Sequence, residues 1–335
     1  MTARQGPAAP TRTASAEDEQ RWNRAALATP EPRRAARLWA YREAAVVLGR
    51  SQRGWLEPGA SAAPPPAREG VLPAPAREGV PPAPAREGVP PAPAREGVPP
   101  APAREGVPPA PAREGVIAAP ARDGAPPVLL RDSGGGAVLV GPWLLGVSVL
   151  LPAADALAAG GTVASYRWLG ELLAEALRAG GVEALAVSPQ RLREFDAARA
   201  EPALDWACFG ALSPWEVLVG RRKIAGLAQV RQRRSVLLVA GLLLAPPPWS
   251  LLTERLGRPP DDALRLARQT ANLAEGVAAA AAGRAAAALG ARIAAALTAR
   301  LGTGAGNGAG NGPEATPEPW PDAGLNPSVA SASGR

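Results

Sequence analysis

From Pro66 to Gly124 the nonapeptide PAREGVPPA recurs with little change, setting arginines at Arg68, Arg77, Arg86, Arg95, Arg104, Arg113 and Arg122. Nothing else in the chain limits its fold as strongly. Each unit has one valine, several prolines and an Arg-Glu pair of zero net charge, so it has almost nothing apolar to bury and favours extended polyproline backbone. Such units cannot stack as a solenoid, which needs a hydrophobic face on every repeat. With 40 prolines and 37 glycines in 335 residues, the chain is expected to hold one folded region rather than two. The expected organisation is a disordered N-terminus over 1–20, one domain over 21–300 interrupted by disordered repeats over 57–127, and a disordered tail over 301–335.

The composition excludes several chemistries. The chain has no histidine and one cysteine, Cys208, which removes Ser-His-Asp and Cys-His mechanisms, zinc sites of the usual kind and any internal disulfide. No metal ligands are assigned. The net charge of +7 comes from arginines spread along the whole chain, as GC-rich coding produces, with no aromatic-interleaved basic stripe; no nucleic-acid partner is expected. The N-terminus lacks an apolar signal region, and the longest apolar stretch, 137–160, is broken by Pro142, Pro152 and Asp155. The expectation is a cytoplasmic protein with no membrane partner.

Hydrophobic patterning predicts an α+β fold, a mixed or antiparallel sheet flanked by helices. Strand-like apolar runs lie at 44–48, 136–140, 144–151, 182–187, 216–219, 224–230 and 235–244. Tyr166, Leu169, Leu173 and Leu177 recur at helical spacing and end at Gly180 and Gly181, which predicts a helix over 163–179. Pro259, Pro260 and Asp261 open an alanine-rich stretch predicted to be helical to about Arg300, with a break at Gly283 or Gly290.

Two segments could carry chemistry. In LRDSGGGAVLV, Gly134, Gly135 and Gly136 precede a strand with Arg131 just upstream, a pattern that lets backbone amides and a guanidinium approach an anion, though a plain turn has the same sequence. In WACFGALSPWEVLVGRRKIAGLAQ, Lys223 is the one lysine in an arginine-dominated chain, which suggests a need for a compact ammonium.

Three blocks in order resemble the lipoate-protein ligase and octanoyltransferase family, the biotin/lipoate protein ligase catalytic domain. They are Gly49, Arg50, Ser51 and Gln52; then Arg131, Ser133, Gly134, Gly135, Gly136, Ala137 and Val138; then Arg222, Lys223, Ile224, Gly226, Ala228 and Gln229. The resemblance implies attachment of lipoate or octanoate to a lysine of an acceptor protein through an acyl-adenylate, with ATP and Mg2+ as cofactors. It implies Lys223 as a catalytic charge stabiliser, Arg131 facing the phosphates, and Ser133, Gly134, Gly135, Gly136, Ala137, Gly226, Ala228 and Gln229 binding substrate or nucleotide. Lys223 and the glycine triplet are then expected to face one cleft.

The resemblance also implies an alternative without ATP, in which an octanoyltransferase carries the acyl group as a thioester on Cys208, with Lys223 nearby raising the nucleophilicity of the sulfur. A non-catalytic binding member, using the Pro-rich insertion or the Arg231 to Arg234 turn, is the third reading. The implied partners are lipoyl-acceptor domains of 2-oxoacid dehydrogenase complexes or the glycine cleavage H protein, with an acyl carrier protein as donor. This chain departs from the family pattern in having Leu130 or Asp132 for a second arginine, Val140 for a histidine, and Ala240 and Gly241 for a His-Gly pair.

Overall fold

The computed structural model describes residues 12–56, 124–197, 201–275 and 277–302. The repeat tract up to residue 123 and the tail from 303 lie outside the described residues. The described chain forms a single unit.

The N-terminus differs from its sequence expectation. Residues 12–14 form strand β1 (Arg12–Ala14), and helix α1 (Ala16–Ala28) follows at once. Ser15 caps α1 and exchanges bonds with Asp18, whose carboxylate lies 3.0 Å from the Ser15 amide. A Ser-x-x-acid capping box of this kind fixes a helix start that net polarity hides. The expected disordered stretch 1–20 is therefore corrected for its described part.

A mixed seven-stranded sheet forms the centre, in the order β1, β2 (Ala35–Tyr41), β6 (Leu144–Pro152), β10 (Ser235–Leu243), β9 (Arg222–Arg231), β8 (Val217–Val219) and β7 (Ala184–Ala186). A second sheet has the order β4 (Val128–Leu130), β3 (Ala45–Leu48), β5 (Val138–Val140). After β3 the chain leaves the second sheet through a short 3-10 turn, Arg50–Leu56, and returns to it at β4, parallel to β3.

Two large cores lie on opposite faces of the large sheet, and a smaller cluster packs Ala26 and Leu27 of α1 against Leu150, Val230 and Leu237. On one face, Leu145, Val147, Val149 and Leu151 of β6 pack beneath α2 (Gly161–Arg178) and α6 (Ala279–Leu301). On the other face, Trp39, Tyr41, Leu144 and Leu243 pack against the small sheet, α4 (Trp249–Arg255) and α5 (Pro260–Gln269). Burial on both faces explains why LLGVSVLLP reads as an almost unbroken apolar run rather than an alternating one. Helix α3 (Pro189–Ala197) is not marked by any periodic apolar face.

The alanine-rich stretch is interrupted elsewhere than expected. Helix α6 runs continuously through Gly283 and Gly290, and the break falls after α5, at residues 270–278. There Ala271, Leu273 and Ala274 donate backbone hydrogen bonds to the carbonyls of Lys223, Leu243 and Leu244. Pairing with the sheet outweighs the helix propensity of alanine. α6 is long and apolar enough to cross a membrane by length and composition, and its Leu289, Ile293, Leu297 and Leu301 are buried in the first core. Arg34 closes this side, with a bidentate pair to Asp155 at 2.6 and 3.1 Å and a bond to the Leu301 carbonyl at 3.1 Å.

Candidate active site

The three sequence blocks converge on the segment 204–210. Gln52 accepts from the Gly49 amide at 3.0 Å and donates to the Trp206 carbonyl at 2.8 Å, so the first block is tied to the cysteine segment. The Ala137 amide donates to the same carbonyl at 2.7 Å, and the Cys208 amide donates to the Ala137 carbonyl at 2.8 Å. This short parallel pairing fixes Cys208 beside the glycine loop.

Close packing sets the need for glycine here. A β-carbon on Gly49 would lie 1.9 Å from the Gly135 carbonyl oxygen, and one on Gly136 would lie 2.6 Å from the Ala207 backbone. Gly135 adds a left-handed φ of 93°. Gly134 meets nothing within 4 Å, so its neighbourhood is open.

Arg131 is buried beneath this loop. Its guanidinium donates to the carbonyls of Val47 (3.1 Å), Gly134 (2.9 Å) and Gly136 (2.7 Å). Burial opposes its charge, while the Cys208 sulfur, the Glu19 carboxylate and the Tyr166 phenol favour it. The expectation that Arg131 faces phosphates is thus not what the geometry presents: the side chain braces the loop from behind, because the carbonyls are turned inwards to meet it. Ser133 is also buried; its hydroxyl has no protein partner, and its carbonyl accepts from the Arg50 amide.

Lys223, at the start of β9, is 2% exposed. Its Nζ lies 2.7 Å from Glu216 Oε2 and donates to the carbonyls of Cys208 (2.5 Å) and Ala211 (3.0 Å). Glu216 also accepts from the amides of Ser213 (2.7 Å) and Leu227 (3.1 Å). Burial raises the Glu216 carboxyl above its ordinary range, opposed by Lys223 and these donors. The residue before it, Trp215, has a left-handed φ of 70°, a conformation costing about 1–3 kcal/mol that persists only where surroundings enforce it. They do so: the Trp215 amide donates to the Val187 carbonyl at 2.6 Å, and its own carbonyl sits where a β-carbon on Gly170 would be.

Lys223 and the glycine triplet border different cavities. Lys223 borders a cavity of about 320 Å³ with Phe195, Phe209 and Arg268, whereas Gly134 and Gly135 border one of about 380 Å³ with Arg50, Tyr166, Gln229 and Arg231. The two elements meet only through the Cys208 segment, which lies between them because it bonds to Ala137 on one side and to Lys223 on the other.

Cys208 itself is half-buried, with a free thiol, and opens on a third cavity of about 60 Å³. Val47, Val138, Val140, Leu144, Leu227 and Val239 supply its apolar walls. A β-carbon on Gly226 would lie 3.1 Å from the Cys208 sulfur, so glycine there makes room for it. Leu227 and Ala228 border both this cavity and the 380 Å³ one, which acts as its polar mouth. At that mouth Gln229 donates to the Thr162 carbonyl at 2.9 Å and accepts from Ser165, tying β9 to the start of α2. Burial pushes the Tyr166 phenol up to about 12, so it remains a hydrogen-bond donor.

Sequence reasoning missed Glu216, Glu19 and Tyr41. An acid inside the buried run WEVLV, close to the sole lysine, was the available signal for Glu216. Glu19 falls in the stretch expected to be disordered, and Tyr41, whose hydroxyl donates to Glu19 at 2.7 Å, has no signal without it. Burial raises the Glu19 carboxyl, opposed by Tyr41, Asn23 and the charge of Arg131.

The octanoyltransferase LipM of Exiguobacterium sp. is 37% identical over 111 residues, which are 33% of this chain and 39% of that protein. The chain thus spans about two fifths of the length of the curated relative it matches. Similar solved structures include lipoate-protein ligase A bound with ATP (14% identity, TM-score 0.40, covering 79% of this chain and 72% of that one). Another is the bi-partite lipoate protein ligase of Thermoplasma acidophilum (12% identity, TM-score 0.41, covering 86% and 82%). The family model of the lipoyl protein ligase A/B catalytic domain matches residues 118–278, which contain Cys208, the glycine loop and Lys223. Over that region the chain is similar to the family's catalytic domain.

Proposed function

We propose that this chain transfers an octanoyl or lipoyl group to a lysine of a lipoyl-acceptor domain through a thioester on Cys208. The observation that carries this reading is the placement of the sole thiol at the opening of an apolar cavity. In the first half-reaction the Cys208 thiolate attacks the carbonyl carbon of a donor thioester, the bond to the donor sulfur breaks, and the donor thiol leaves with the proton. In the second, the ε-amine of the acceptor lysine attacks the Cys208 thioester. The amide forms as the sulfur departs, and the amine proton returns to it.

The protein's residues position this chemistry. Arg131 holds positive charge near the sulfur. Lys223 fixes the Cys208 carbonyl, and so the backbone that carries the nucleophile. Arg50, exposed at the polar mouth, suits the phosphate on the arm of an acyl carrier protein. The cytoplasm, a reducing compartment, would keep the thiol free.

An acyl-adenylate route fits these residues less well. It needs cations aimed at phosphates, and Arg131 and Lys223 spend their donors on carbonyls and on Glu216, which leaves that role to Arg50 and Arg231. No step through ATP or Mg2+ is assigned. The test is to incubate the protein with octanoyl-acyl carrier protein and an acceptor domain without ATP, and to weigh both proteins. An adduct on Cys208 and an octanoylated acceptor are expected, both lost in Cys208→Ser. Transfer that requires ATP and survives Cys208→Ser would overturn the reading.

A further inference from the structure

We infer that a row of three glycines forms the bed of the acyl channel and that Tyr41, tied to Glu19, closes its far end, restricting the protein to medium-length acyl chains. The inference rests on the Cys208 thioester reading above. Gly226 of β9 pairs with Gly241 of β10, which pairs with Gly146 of β6. Residues directly opposed in antiparallel strands point to the same face, so three adjacent side chains are missing from one line across the sheet. The missing side chains leave a trough.

Its two ends are marked. Over Gly226 sit the Cys208 sulfur and the Lys223 ammonium, 3.1 and 3.4 Å from where a β-carbon would be; over Gly146 sits the Tyr41 hydroxyl, 2.2 Å from the corresponding point. Over the middle, a β-carbon on Gly241 would meet the Leu144 side chain first, at 3.4 Å, an ordinary contact. Val47, Val138 and Val140 of the small sheet form the roof. Beyond Gly146 the next position in register is Trp39, which is buried.

Tyr41 is a fixed wall. It is buried, its hydroxyl donates to Glu19 at 2.7 Å, and Glu19 also accepts from Gln20 at 3.3 Å. Two strand spacings separate β9 from β6, about 10 Å in all. Carbon–carbon bonds of about 1.5 Å advance an extended chain about 1.3 Å per carbon, so a hexadecanoyl chain, at roughly 20 Å, overruns the trough. A chain of medium length reaches Tyr41.

The test uses full-length protein and synthetic thioesters of N-acetylcysteamine from butanoyl to hexadecanoyl, with the mass of the Cys208 adduct followed over time. The unaltered protein should take medium chains and refuse hexadecanoyl. Gly241→Ala needs no backbone shift, and its methyl group narrows the trough midway. It should lower the octanoyl rate relative to butanoyl by about tenfold, the scale of one methylene in an apolar pocket. Tyr41→Leu should extend the range to dodecanoyl. A Gly241→Ala profile identical to that of the unaltered protein overturns the channel, even if Tyr41→Leu fails to fold. Absence of any Cys208 adduct with every donor overturns the thioester chemistry itself, so the two failures are read separately.

Discussion

Two buried cations flank Cys208, and they are used differently. Lys223 meets a carboxylate at 2.7 Å, and the ion pair is 3% exposed on both sides. Arg131 meets only carbonyls, with Glu19 and the cysteine sulfur further off. The first is a locally neutral clamp that fixes backbone, while the second is held by carbonyls, with Glu19 and the thiol favouring its charge from further away. Burial of a cation therefore does not identify the one that acts on the nucleophile; the partner does.

The largest expected effect breaks the clamp. Lys223→Met strands a buried carboxylate and should cost about 3–5 kcal/mol, whereas adding Glu216→Gln to it should recover most of that loss. Urea unfolding of both single variants and the double variant gives the coupling directly. Equal losses in Lys223→Met and the double variant would show that the pair is no clamp.

Next in size is Arg131→Lys. An ammonium cannot reproduce the forked bonds to three carbonyls, and losing one charged hydrogen bond costs about 1.5–3 kcal/mol. Arg131→Met, which removes the charge that Arg131→Lys keeps, should slow alkylation of Cys208 by iodoacetamide more than the Lys223→Met, Glu216→Gln double variant does. The reverse order would assign the thiol's field to Lys223.

Within the loop that Arg131 braces, Gly136→Ala forces a β-carbon into the Trp206 and Ala207 backbone and should cost about 1–3 kcal/mol. Gly134→Ala, in open space, should lie within about 0.5 kcal/mol of the unaltered chain. Similar melting temperatures for the two would remove close packing as the reason for the triplet.

The smallest effect concerns Glu19. Its folded-state carboxyl is raised by burial, so the native state holds the proton more tightly than the unfolded chain does. Stability from this group is present at low pH and falls as pH rises from the ordinary value of 4.5 through the raised one. Glu19→Gln, which never ionises, should gain melting temperature relative to the unaltered chain as pH rises from about 4 to about 8. A difference that does not vary with pH would mean that Arg131 already neutralises Glu19.

Seven strands were legible because they are apolar runs bounded by turns, and α2 because Tyr166, Leu169, Leu173 and Leu177 keep helical spacing; β1, β2 and β4, short or rich in alanine and arginine, were not. The interruption at 270–278 was not legible, since the carbonyls that capture it belong to residues 223, 243 and 244, far away in sequence. At the site, the glycines and the sole lysine and cysteine stood out by type. Their division among three cavities did not, because it depends on which way Arg131 and Lys223 point, and spacing carries no such direction. The N-terminal contribution of Glu19 stays hidden because a capping box, read without its helix, has the composition of a polar tail.

Arg34 joins the approach to β2, the loop before α2 and the final carbonyl of α6 through one guanidinium. Fraying of the C-terminal turn and release of that loop should therefore be one cooperative event, visible as amides in both places exchanging hydrogen with a shared opening free energy.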